Sequence, residues 1–107
     1  MIREEALARL AEVLAGMNIQ LVEAERRATG SNVHVVRTLT CYLDGWALLL
    51  RRGFYDKKPV EEILDQVGQA KMARYQLMLL NNGCTPMEAE RRRSEAPDDP
   101  EFYWGLL

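Results

Sequence analysis

The chain has 107 residues, 48% of them hydrophobic and 28% charged, with a net charge of −2. That is the size and composition of one globular domain able to enclose its own core, and it excludes wholesale disorder. The weak negative charge gives no general attraction to nucleic acid or anionic lipid.

The opening residues, Met1-Ile2-Arg3-Glu4-Glu5, are charged where a signal peptide is apolar. The longest unbroken apolar run, Trp46 to Leu50, is far short of the ~20 residues of a membrane span. A cytoplasmic protein without membrane attachment is expected, with Cys41 and Cys84 as free, buried thiols.

Leu7, Leu10, Leu14, Met17, Leu21, Ala24 and Ala28 alternate in steps of three and four, an a/d seam that keeps its phase through Gly16 and Asn18. Glu4 and Glu5 suit the positive start of a helix dipole, Arg26 and Arg27 its negative end, and Gly30 stops it. One long helix from about Ile2 to Thr29 is predicted. Its seam is longer than a neighbour of about 20 residues covers, so Leu7, Leu10, Leu14, Met17 and Leu21 are the candidate seam of a homodimer.

Ser31-Asn32 caps a second helix with its apolar face at Val36, Leu39, Leu43, Trp46 and Leu50, widened by Val35, Tyr42 and Leu49. The β-branched run from Val33 is read as helix because Arg37 breaks the alternation a strand requires. Gly53 to Asp56 is a turn, and Pro59 fits the first position of a third helix. The inner face of that helix is Val60, Ile63, Leu64, Val67, Ala70, Ala73, Leu77 and Leu80, and Asn81-Asn82-Gly83 ends it. Thr85-Pro86-Met87-Glu88 has the form of a capping box opening a short fourth helix to about Glu95.

The predicted fold is therefore all-α: one domain over 1–107, a compact bundle of three main helices, a short fourth helix and an apolar C-terminal docking tail. The tail, Asp98 to Leu107, carries Phe102, Tyr103, Trp104, Leu106 and Leu107. Such aromatics dominate interface energetics, so these five are the candidate partner-binding residues. The tail either plugs a groove of its own core or docks on a partner, and the sequence leaves both open.

Chemistry has few footholds. His34 and Cys41 lie seven residues apart, too far along a helix for joint ligation, and Cys84 belongs to another segment, so no metal is expected. No phosphate loop, nucleophile elbow or paired-carboxylate constellation is present, so neither an enzyme nor a cofactor is expected. Arg91-Arg92-Arg93 sit at ion-pair spacings from Glu88, Glu90 and Glu95, the pattern of a self-compensated surface rather than of a DNA-reading helix.

This size and helical content, without a catalytic motif, resembles the small bacterial regulators that hold a transcription factor inactive, the quorum-sensing anti-activators of the QslA type. The resemblance is one of type over the outline of the chain. No motif carries it, and no residue role is transferred. It implies binding to the ligand-sensing domain of a LuxR-type activator and disruption of that activator's dimer. A small DNA-associated regulator, a phage-type inhibitor and a chaperone remain alternatives.

Overall fold

The computed structural model describes residues 1–28, Gly30 and 32–95. It is a bundle of α1 (Arg3–Arg27), α2 (Asn32–Arg51), α3 (Val60–Asn81) and α4 (Pro86–Glu95), and no strand occurs among the described residues. α1 runs unbroken through Gly16, as its constant seam phase predicts.

Gly16 has a packing role. The Arg74 guanidinium of α3 crosses α1 at this point, and a Cβ there would stand 2.7 Å from Arg74 Nη2. Further along the same contact, Arg27 Nη1 donates to the Asn81 carbonyl at 2.7 Å, and Asn81 Nδ2 donates to the Gln20 carbonyl at 3.1 Å.

Two of the helix ends share one device. The amides of Gly53 and Phe54 donate to the carbonyls of Leu50 and Leu49 at 3.2 and 3.0 Å. Those of Gly83 and Cys84 donate to Leu80 and Leu79 at 3.1 and 3.0 Å. Each pair is a Schellman closure, which places its glycine in the left-handed region, at φ 76° for Gly53 and 94° for Gly83. Pro59 precedes α3 by one residue rather than opening it. At α4 the Glu88 amide donates to Thr85 Oγ1 at 3.2 Å, so the N-cap forms. The Glu88 carboxylate turns outward to Arg92.

α3 is the central element. α1 packs along it and also holds α2, α4 covers its C-terminal part, and α2 and α3 touch little. The core runs from Ala6, Leu10 and Val13 through Met17 and Leu21 of α1 to Ile63, Val67, Ala70 and Leu77 of α3, closed by Val36, Leu39 and Leu43 of α2. The inner face read for α3 is present, with Val60 and Leu64 only partly buried, and it is wider than its periodicity indicates. Lys71, Tyr75 and Leu79 are buried as well.

One expectation about α1 is corrected by this packing. Leu10, Leu14, Met17 and Leu21 are buried in the chain's own core, and Leu7 packs against it. The seam is covered by α3 and α2 together, so it is not a surface on which a second copy packs. A single neighbour of about 20 residues would have left its distal part bare. Two neighbours, one on each flank, do not.

Candidate functional site

Because α2 and α3 touch little, a groove opens between them and is bounded at one end by α4. Leu39, Tyr42 and Trp46 line it from α2, Gln69, Met72, Ala73 and Gln76 from α3, and Glu90 and Arg93 from α4. Its volume is about 500 Å³, within the range of small ligand and side-chain pockets.

The positions follow from local sequence. Tyr42 and Trp46 are one helical turn apart and present their rings side by side, with centroids 6.1 Å apart. Trp46 Nε1 donates to Gln66 Oε1 of α3 at 2.8 Å, which fixes the indole and ties the two helices there. Tyr42 has no such tether among the described residues and is 56% exposed. On the opposite wall the small Ala73 lies between Met72 and Gln76, so α3 offers a short side chain where α2 offers large ones.

The α4 arginines divide by role. Arg91 pairs with Glu95 at 3.3 Å and with Glu88 at 3.9 Å, and Arg92 pairs with Glu88 at 2.8 Å. Both are compensated on the surface, as their spacing predicts. The Glu90–Arg93 pair does not form among the described residues. Glu90 and Arg93 instead stand on the groove rim, one of each sign. The arrangement is a slot of mixed polarity, with an aromatic wall on α2, glutamines on α3 and opposite charges on α4. It is suited to one or two apolar side chains of a peptide segment, with Arg93 placed to meet an acid.

The five tail residues read as candidates, Phe102, Tyr103, Trp104, Leu106 and Leu107, lie outside the described residues. Cys41 is corrected from buried to exposed, whereas Cys84 packs against the core, and both are free thiols. Cys41 falls on the outward face of α2 with His34 and Arg37, away from the seam. No group of three or more metal-ligating side chains occurs among the described residues. No helix there is long and apolar enough to cross a membrane.

Elsewhere an ordinary surface cluster closes α1. Glu23 accepts from Arg26 at 2.7 Å and from Arg27 at 2.7 Å, and hydrogen bonding from Arg26 holds its carboxyl below the usual range. Lys58 Nζ sits 4.7 Å from the Phe54 ring centre, a cation–π contact that covers part of an exposed aromatic.

Sequence reasoning missed the groove. Tyr42, Trp46 and Leu39 were legible as apolar positions of one helix, but the gap beside them comes from how α2 leans away from α3. Comparison with protein-family models, curated proteins and solved structures gives no match.

Proposed function

We propose that this chain is a non-enzymatic regulatory protein that acts by binding another protein. In the most concrete form it is an anti-activator that sequesters a LuxR-type quorum-sensing transcription factor or disrupts its dimer. The groove between α2, α3 and α4 is the observation that supports this reading. An exposed Tyr42 beside a half-buried Trp46 at the wall of the slot, with opposite charges at its lip, has the anatomy of a protein-recognition hot spot. The named partner class comes from the resemblance of type.

Affinity capture from source cells, read by mass spectrometry, is the direct experiment. The wild type is expected to retain a transcription factor, and Tyr42→Ala to lose it while keeping the wild-type circular dichroism spectrum and melting temperature. Capture unaffected by Tyr42→Ala refutes the groove as the binding site. Binding to bare DNA that falls steeply with salt, in a mobility-shift assay, points to the DNA-associated alternative instead.

A further inference from the structure

α1 is apolar on two faces, and the fold uses one. Opposite the buried seam, Ala8, Ala11, Ala15, Ile19 and Val22 are all exposed, with Ile19 at 72% and Val22 at 61%. At 3.6 residues per turn these five positions fall within about 80° of the helix circumference, a continuous stripe roughly 21 Å long. Large β-branched residues left in water on a regular stripe indicate a contact surface rather than scattered surface apolars.

The order of residues along the stripe identifies what covers it. It is complementary to itself when reversed about Ala15. Two copies of α1 packed antiparallel on a two-fold axis at Ala15 set Ala8 opposite Val22 and Ala11 opposite Ile19, so each large side chain meets a small one. The same register sets Glu4 opposite Arg26, beyond either end of the stripe. A parallel pairing does the reverse. It sets Ile19 against Ile19, Val22 against Val22, and the like charges Glu4 and Arg26 each against itself.

Both charged groups are accessible in the single chain. Glu4 is exposed, and Arg26 has a side chain 70% exposed and shares Glu23 with Arg27. We infer that this outer stripe of α1 is an isologous interface with a second copy of the chain, antiparallel and centred on Ala15. The surface is distinct from the α2–α3–α4 groove, so this inference stands or falls independently of the function proposed above. One helix stripe is at the small end of specific interfaces, so the dimer is weak and forms in the micromolar range.

The test has two arms. Sedimentation velocity from about 1 to 500 µM is expected to show a concentration-dependent monomer–dimer equilibrium. Ile19→Glu abolishes it without moving the melting temperature of the dilute monomer. Glu4→Arg weakens it roughly tenfold, and the Glu4→Arg, Arg26→Glu double variant restores it.

The second arm uses oxidative crosslinking in a Cys41→Ser, Cys84→Ser background. Ala15→Cys crosslinks with itself. Ala8→Cys and Val22→Cys crosslink with each other and not with themselves. A wild type that stays monomeric across the range overturns the inference. So does self-crosslinking of Ala8→Cys and Val22→Cys singly, which is the parallel pattern, or a dimer indifferent to Ile19→Glu.

Discussion

Leu10→Ala tests which surface the α1 seam serves. Leu10 is 0% exposed and lies where α1 packs on α3. Truncation removes the transfer free energy of the lost carbons and leaves a cavity that rigid helices close only in part. The cost is about 3–5 kcal/mol. A domain of this length has a total stability of about 5–15 kcal/mol, so the variant loses about a fifth of it or more. At roughly 4–6 °C per kcal/mol the melting temperature falls by about 12–30 °C. A core residue and an intermolecular seam residue both destabilise when truncated, so the decisive variable is protein concentration. An intramolecular seam gives a fall in melting temperature that is the same at 5 and at about 200 µM, because the cavity lies inside one chain. An obligate dimer seam gives one that depends on concentration by mass action. Thermal melts followed by circular dichroism at both concentrations read the difference. A fall below about 5 °C, or one that varies with concentration, refutes the assignment of the seam to the chain's own core.

Two further outcomes follow from local geometry. Gly68→Ala is expected to stabilise by about 0.5–1 kcal/mol, because Gly68 is inside α3 with open space where its methyl would sit. Gly83→Ala is expected to destabilise by about 1–2 kcal/mol, because φ 94° at the Schellman closure strains an L side chain, and urea melts of the pair check the opposite signs. Burial raises the Tyr55 phenol above its ordinary value of 10.0. The folded state therefore favours the protonated form, and the contribution of Tyr55 is fully present below that ordinary value and declines as pH rises from there towards the raised one. Urea midpoints between about pH 9 and 11.5 should fall more steeply for wild type than for Tyr55→Phe, and equal slopes would contradict the burial of that hydroxyl.

What the sequence disclosed divides along a physical line. Helix ends were legible because they depend on nearby residues: Asn81-Asn82-Gly83 and Arg51-Arg52-Gly53 carry the glycine that a left-handed closure requires, and Thr85 carries its cap. The buried face of α1 was legible from its period. What covers that face was not, because periodicity shows where a helix is apolar and not whose surface meets it. The same seven positions fit a dimer seam or an intramolecular one, and only the lie of α2 and α3 decides. The outer stripe escaped notice because three of its members are alanines, weak in any hydrophobic count, and Ile19 and Val22 are out of phase with the seam. Cys41 was misplaced because its flanking residues, Thr40 and Tyr42, point to different sides of α2, and composition alone favours a buried cysteine. The groove depends on how the successive helices α2 and α3 lie against each other, which the periodicity of neither helix contains.

That dependence also shows how the groove can be separated from the stability of the bundle. Ala73 and the polar Gln69 and Gln76 line the α3 side of the slot, across from Trp46 and Tyr42 of α2. Ala73→Leu adds three carbons at the floor. At roughly 0.8 kcal/mol for each buried methylene, filling the slot stabilises by at most about 2 kcal/mol, and by less because the groove is open on one side. A groove kept open for a partner therefore predicts a trade: the variant is at least as stable as wild type in urea and no longer captures the partner, since the added side chain occupies the place of the incoming one. A groove that is only a packing remnant predicts the first result without the second. A loss of more than about 2 kcal/mol would mean that Ala73 is already in tight contact across the slot, and the groove could not then receive a side chain at that point.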